Sequence, residues 1–247
     1  MPKGPPGSVM KLVAATAIME TGALDPNNKV DCKGHATIDG ETFHCQFPHG
    51  HVDLTHAIAM SCNSYFVNAS KHISSQAFLH FAERLGLKDS VARMPVGIFP
   101  AATHDPSYTF ILGLNETFQP SALQLLRLAA LVGSKGDLPF LRRSDDMETP
   151  DPPFRVQLHE ATWHRLQQGM EMAVRDGTAK HLDPENKMHI AAKTGTSIHG
   201  KKFQSCIIGY FPYDKPGNAF CIWSPTGTSQ ESAVPQAHQF LFSTTWP

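Results

Sequence analysis

The sequence has 247 residues, of which 41% are hydrophobic and 17% are charged, and its formal net charge is -1. This length and apolar content suffice for one large core, and we expect a single globular unit over residues 1–247. Lys and Arg form no sustained block, which argues against nucleic acid as a partner. No apolar run reaches the roughly 18 residues of a membrane span, and the first seven residues lack the apolar stretch of a signal peptide.

The first three quarters of the chain are predicted to be mostly helical. A helix begins at Ser8, directly after Pro5-Pro6-Gly7, and ends at Gly22. Residues 29–52 are rich in Gly, His and Cys without steady periodicity, which indicates an irregular or hairpin-like excursion. Further helices are predicted after an Asp53 cap, from a Ser75 cap to Gly86, from about Pro120 to Gly133, and with Trp163, Leu166, Met170, Ala173 and Val174 on one face.

The end of the chain changes to a strand pattern. Strands are predicted at residues 190–194, 203–211 and 219–223, with a turn at 213–217 and a closing helix at 233–242. The polar, proline-rich segment 144–153 is predicted to be an exposed loop. The fold class that follows is mixed α and β: an antiparallel sheet covered by helices on both faces, with an inserted helical lobe and a cleft between lobe and sheet.

Ser8-Val9-Met10-Lys11 is the first segment that could carry chemistry. Residues three apart share a helix face, so the Lys11 amine can take the proton of the Ser8 hydroxyl. The helix N-terminus also places free N–H groups near a developing oxyanion. The competing interpretation is a helix cap followed by a solvated lysine.

A second segment, Ser61-Cys62-Asn63, follows the predicted Asp53 helix. The Ser61 hydroxyl can relay a proton, and the Asn63 carboxamide can both donate to and accept from a substrate amide. Without the other segments, ordinary turn residues would be the preferred interpretation.

A third segment, Lys193-Thr194-Gly195-Thr196, ends a predicted strand. The lysine and two hydroxyls can bind a terminal carboxylate, and Gly195 allows a substrate backbone to approach closely. The Thr196 N–H can complete an oxyanion hole opposite the Ser8 N–H. The alternative is a strand that runs into a Gly-Thr turn.

In this order the three segments resemble the Ser-x-x-Lys, Ser-x-Asn and Lys-Thr-Gly motifs of the penicillin-binding protein transpeptidases. The resemblance covers nearly the whole chain, and the part before Ser61 is most similar to the class B, elongation-type penicillin-binding protein 2 subgroup. Its further segments are Pro5-Pro6-Gly7-Ser8, Met19-Glu20-Thr21-Gly22, His49-Gly50-His51-Val52-Asp53-Leu54, Ser61-Cys62-Asn63-Ser64-Tyr65-Phe66, Asp176-Gly177-Thr178-Ala179 and Gly209-Tyr210-Phe211-Pro212.

The resemblance implies a serine DD-transpeptidase that forms an acyl-enzyme at Ser8 with D-Ala-D-Ala stem peptides or β-lactams and needs no cofactor for the chemistry. It also implies a periplasmic, inner-membrane-anchored protein that works beside a glycan-polymerising membrane partner. Two departures stand out. Leu112-Gly113-Leu114-Asn115 replaces a Gly-Gln-Gly stretch, and only seven residues precede Ser8, so we expect a chain that lacks the family's N-terminal strands.

Related activities remain open at this point. A β-lactamase of the same fold would add a glutamate in a Glu-x-x-Leu-Asn type loop, which the sequence lacks, its nearest candidates being Glu148 and Glu160. A DD-carboxypeptidase differs only in whether water or an amine attacks the acyl-enzyme. A non-catalytic binding or sensor module that retains the site is the alternative from another class.

Three thiols and an imidazole occur close together in the sequence: Cys32, Cys45, His49 and Cys62. Four soft or borderline ligands suit a tetrahedral structural zinc site, and the spacing from Cys45 to His49 is short enough for one. The resemblance adds that some elongation-type penicillin-binding proteins hold a metal beside the active site. The alternative is a Cys32–Cys45 disulfide with Cys62 as a small buried hydrophobe.

Overall fold

The computed structural model describes residues 4–100, 104–138 and 153–246. Nearly all of the predicted loop at 144–153 therefore lies outside the described residues. Within those residues, no helix combines the length and the hydrophobicity needed to span a bilayer.

The helix predicted to begin at Ser8 is confirmed. A 3-10 turn, Gly7–Met10, leads into helix α1, Lys11–Thr21, which ends at Gly22 in the left-handed conformation. The first eight residues of α1, Lys11 to Ile18, are buried, and its apolar side chains belong to the main core. Its N-terminal end therefore lies at a fixed position.

The predicted excursion at residues 29–52 consists of two antiparallel ladders. Strand β1, Val30–Cys32, pairs with β4, Gly50–Val52, and between them β2, His35–Ile38, pairs with β3, Glu41–His44. Helix α2, Leu54–Ala59, follows, and its N-terminus is capped as predicted by the Asp53 carboxylate, which accepts a hydrogen bond from the His56 N–H. Helix α3, Asn63–Ala69, comes next.

The helical lobe is completed by α4, Ser75–Arg84; α5, Ser107–Ile111; α6, Ala122–Gly133; the short ladder of β5, Asp137–Leu138, with β6, Phe154–Arg155; and α7, Glu160–Arg175. The apolar face predicted for α7 is buried. The predicted Ser75 cap is wrong by one residue. Ser74 has the extended backbone of a cap and accepts from the Ala77 N–H, whereas the Ser75 hydroxyl donates to the Asp105 carbonyl.

The sheet contains β7, Ala191–His199; β8, Lys202–Phe211; and β9, Asn218–Ser224, in the antiparallel order β7-β8-β9. Ile208 and Tyr210 join the core under the helical lobe, whereas Ile207 and Phe211 pack with helix α8, Val234–Ser243. Helices thus cover both faces, as predicted. The three strands and the closing helix are also confirmed, with strands longer than expected.

Candidate active site

Ser8 lies in a turn held from both sides by glycine contacts. Gly7 has a φ of +68° and its N–H donates to the Gly113 carbonyl at 2.9 Å. A Cβ at Gly7 would collide with the Thr196 backbone, and one at Gly113 would collide with Gly7. The stretch Leu112-Gly113-Leu114-Asn115, which replaces the Gly-Gln-Gly of the resemblance, therefore keeps a glycine where the Gly7 backbone approaches it closely. The Ser8 turn packs directly on β7.

Lys11 extends from the first position of α1 toward the Ser-x-Asn segment, and its side chain is fully buried. Its Nζ donates to the Asn63 Oδ1 at 2.6 Å, to the Ser61 carbonyl at 2.7 Å and to the Ser61 Oγ at 3.3 Å. Burial lowers the pKa of Lys11 to about 8, against the opposing effect of the nearby thiols. No hydrogen bond joins Lys11 to the Ser8 hydroxyl among the described residues, but an amine of this pKa is partly neutral at physiological pH.

A second buried amine reaches the same serine. The Lys193 Nζ donates to the Ser61 Oγ at 3.0 Å and to the Thr194 carbonyl at 3.0 Å. Burial, and then the charge of Lys11, lower the pKa of Lys193 well below its usual value. Lys193 is not among the residues that line the cleft, so the structure does not place its amine in contact with the space in which a substrate carboxylate was expected to bind.

Ser61 has a positive φ of 54°, a conformation unusual for a residue with a side chain. The next residue, Cys62, is extended and caps α3, and Asn63 is the first residue of that helix. The Asn63 Nδ2 donates to the His44 carbonyl at 2.7 Å, and its backbone N–H donates to the Cys45 Sγ at 3.2 Å. The catalytic asparagine expected from the sequence is therefore fixed by the excursion that carries the cysteines.

A cleft of about 220 Å³ collects most of the predicted site residues: Ser8, Ser61, Asn63, Thr194 and Thr196 line it. Gly195 lies between the two threonines on β7, where a Cβ would collide with the Pro6 carbonyl.

Among the cleft residues to which sequence reasoning gave no role, two form hydrogen bonds with the threonines of β7. The Thr178 Oγ1 accepts from the Thr194 hydroxyl at 2.7 Å, and the Ser229 N–H donates to the Thr196 Oγ1 at 3.0 Å. Thr178 belongs to the Asp176-Gly177-Thr178-Ala179 segment already noted for its resemblance, whereas nothing near Ser229 in the sequence gives a signal.

The four predicted metal ligands come together in space. One ligand atom of each of Cys32, Cys45, His49 and Cys62 lies within 4.8 Å of all the others. The Cys32 Sγ is 3.7 Å from the Cys45 Sγ and 3.4 Å from the His49 Nδ1, and all three cysteines are free thiols. In a tetrahedral site with metal–sulfur bonds of about 2.3 Å, two sulfurs are about 3.8 Å apart, so the Cys32–Cys45 separation matches a zinc site and the four-residue donor set is of the kind that zinc prefers.

The pKa values of the Cys45 and Cys62 thiols are shifted in opposite directions. A hydrogen bond from Cys62 lowers the pKa of Cys45 to about 3, and the same contact raises the pKa of Cys62. A thiolate at Cys45 is therefore favoured even without a cation, and it lies close enough to Lys11 to raise the pKa of that amine.

The site combines a serine at the start of a buried helix with two buried lysines that meet at a second serine. The edge of an antiparallel sheet lies across the cleft. This arrangement is that of the transpeptidase/β-lactamase fold. The sequence profile of the penicillin binding protein transpeptidase domain matches residues 3–241. The chain belongs to this family.

Two curated proteins are similar to nearly the whole chain. Stage V sporulation protein D of Bacillus subtilis is 22% identical over 91% of the chain and 39% of its own length. The peptidoglycan D,D-transpeptidase MrdA of Acinetobacter baumannii is 21% identical over 93% of the chain and 40% of its own length. The chain thus spans about two fifths of the length of these relatives.

A solved peptidoglycan synthase complex, described as coordinating polymerization and crosslinking, contains a similar chain. The TM-score is 0.84 at 23% identity, over 96% of this chain and 45% of that one. At this identity the likeness establishes the fold.

Proposed function

We propose that the chain is the catalytic domain of a peptidoglycan D,D-transpeptidase that works through an acyl-enzyme at Ser8. The observation that supports this most is the convergence of Lys11 and Lys193 on the Ser61 hydroxyl, in the cleft that Ser8 lines. Two amines with lowered pKa values around one hydroxyl form a path along which protons can move.

In the proposed mechanism, neutral Lys11 removes the Ser8 proton as the Ser8 oxygen attacks the carbonyl between the two D-Ala residues of a stem peptide. The Ser8 and Thr196 N–H groups stabilise the oxyanion. The proton reaches the leaving D-Ala amine through the Ser61 hydroxyl. An amine of a second stem peptide then attacks the ester and releases Ser8.

Recognition of the terminal carboxylate falls to the hydroxyl groups of Thr194 and Thr196, which line the cleft. The Asn63 Nδ2 is the donor for the substrate amide, although it is bonded to the His44 carbonyl in this structure. β-Lactams, whose strained amide and carboxylate match the same groups, are proposed to acylate Ser8 as well.

Other activities of the fold are less well supported. No Asp or Glu of the described residues lines the cleft, and Glu160 forms an ion pair with Lys135 at the start of α7. Glu148 lies outside the described residues. Without a carboxylate to activate water, a slow-leaving acyl-enzyme is favoured over β-lactamase turnover.

The cellular setting is proposed from the relatives. Their curated names include a peptidoglycan D,D-transpeptidase, and the solved complex couples crosslinking to polymerization. We propose that this chain also works on the periplasmic side of the inner membrane, beside a membrane-bound glycan polymerase.

We further propose a structural zinc ion held by Cys32, Cys45, His49 and Cys62. Zinc would fix three thiolates and so rigidify the turn that carries Ser61 and Asn63, while the acyl transfer itself is left to the serine and lysine residues.

The test is intact-mass analysis after incubation with a penicillin, followed by peptide mapping. We expect one stoichiometric adduct at Ser8, no adduct in Ser8→Ala, and an unchanged melting curve for that variant. An adduct at another residue would overturn the assignment, and failure of folded wild-type protein to react would favour the non-catalytic binding module. Elemental analysis of protein purified without chelator should give one zinc per chain, and its absence would remove the metal proposal.

A further inference from the structure

Cys45 connects the cysteine cluster to the catalytic cleft. All five cysteines lie within the described residues, and Cys45 is the one that lines the cleft with Ser8, Ser61 and Asn63. A small molecule that enters the cleft can therefore reach its sulfur. Cys32, 3.7 Å behind it, is only 1% exposed.

Cys32 and Cys45 are placed to form a disulfide. A disulfide bond of about 2.05 Å requires the two sulfurs, now 3.7 Å apart, to approach each other by about 1.7 Å. Cys32 ends β1, and Cys45 directly follows β3. Cys206 and Cys221 are two residues out of register on neighbouring strands, since Cys206 is opposite Trp223 and Cys221 is opposite Ile208. These two are placed for packing and not for bonding to each other.

The same sulfur also holds the catalytic loop. The Cys45 Sγ accepts from the Asn63 N–H at 3.2 Å. Carbonyls of the same excursion accept from the Asn63 Nδ2 and, at His35, from the Ser64 hydroxyl at 2.9 Å. Movement of Cys45 toward Cys32 would pull on the residues that place Asn63 and Ser61 around Lys11.

We propose that Cys45 and Cys32 form a thiol switch that acts on the Ser61–Asn63 turn. A small-molecule disulfide enters the cleft, and Cys45 attacks one of its sulfurs, which breaks that S–S bond and releases one thiol. Cys32 then displaces the second thiol from Cys45. The net change forms one protein disulfide and reduces one small-molecule disulfide to two thiols; Cys32 supplies one of their protons, and solvent supplies the other when Cys45 attacks as the thiolate.

Oxidation weakens the Asn63 N–H contact, because the Cys45 Sγ must leave its present position, 3.2 Å from the Asn63 nitrogen, to bond Cys32. The turn then loses one of its anchors and acylation slows. Zinc held by the same sulfurs protects them from the reaction. The expected slowing of acylation rests on the proposed acyl transfer at Ser8. The disulfide and the loosening of the turn can be measured whether or not that transfer occurs.

The test treats reduced, chelated protein with oxidised glutathione. We expect a Cys32–Cys45 cross-linked peptide, faster hydrogen exchange in the peptide that contains Asn63, and penicillin acylation slowed about tenfold. All three changes should reverse with dithiothreitol and be suppressed by prior zinc loading. Cys32→Ser should instead retain glutathione on Cys45, and the matched control Cys221→Ser should behave as wild type.

A disulfide that uses Cys62, no disulfide at all, or a Cys32–Cys45 disulfide with unchanged exchange at Asn63 would each overturn the switch. If reduced protein fails to react with penicillin, the proposed function fails separately. Mapping and hydrogen exchange still decide the switch in that case.

Discussion

The amine of Lys11 donates to the side-chain oxygen of Asn63 at 2.6 Å, although the two residues are 52 positions apart in the chain. The contact crosses from the first residue of α1 to the first residue of α3, so two helix N-termini and a buried amine meet at the cleft. Because both helices are anchored in the core, the proposed base Lys11 and the proposed amide donor Asn63 are held at a fixed separation before any substrate binds.

Replacement of Lys11 by Ala should slow penicillin acylation by about 10²- to 10⁴-fold, the usual contribution of a positioned general base. The loss should fall on the acylation step, measured as the rate of adduct formation at saturating penicillin. Lys71→Ala, which removes an exposed lysine, is the matched control and should react as wild type. A Lys11→Ala variant that acylates at the normal rate would move the base to another residue.

The acylation rate should also rise with pH through about 8. The neutral amine is the form that accepts a proton, and burial lowers the pKa of Lys11 to about 8, so the reactive fraction falls about tenfold for each pH unit below that value. Rapid-quench acylation from pH 6 to 9.5 measures this profile. The residual rate of Lys11→Ala should lack the step, and the same step in that variant would assign it to another group.

The sequence predicted the motif residues and most element types because each depends on local signals: helix caps, glycine stops and strand alternation. Tertiary packing decides which side chains contact one another, and the sequence was less informative about these contacts. Nothing local indicated that Lys193 would turn back to Ser61, or that the Ser229 N–H would hold Thr196. The cluster of Cys32, Cys45, His49 and Cys62 was predicted because these cysteine and histidine residues lie close enough together in the sequence to be recognised without a fold.

Gly195 should not tolerate a methyl group. A Cβ there would collide with the Pro6 carbonyl and lie 3.1 Å from both the Cys206 Sγ and a Val9 methyl. We expect Gly195→Ala to cost about 1 to 3 kcal/mol of unfolding free energy and to slow acylation, because the Ser8 turn is pushed away from β7. Urea unfolding measures the first effect and adduct formation the second.

Gly217, in the turn between β8 and β9, provides the control for this prediction. A Cβ there meets no atom within 4 Å, so Gly217→Ala should change the unfolding free energy by no more than about 0.5 kcal/mol. Equal effects of the two substitutions would show that the close packing of Gly195 on the Ser8 turn is not what limits stability.

Zinc should stabilise the chain through His49. A ligand that binds only the folded state at about 100 times its Kd adds about 2.7 kcal/mol to the free energy of unfolding, and reduced wild-type protein should show a gain of this order on zinc addition. His49→Ala should lose most of it, because a three-thiol site leaves one position of the tetrahedron without a protein ligand.

His51→Ala is the control in the same excursion: His51 is exposed on β4 and is outside the cluster, so the gain should be retained. Chemical denaturation of all three proteins with and without zinc, in a non-thiol reductant, measures the difference. An equal gain in His49→Ala and wild type would show that zinc binds elsewhere, and no gain in any of them would remove the metal from the description of this site.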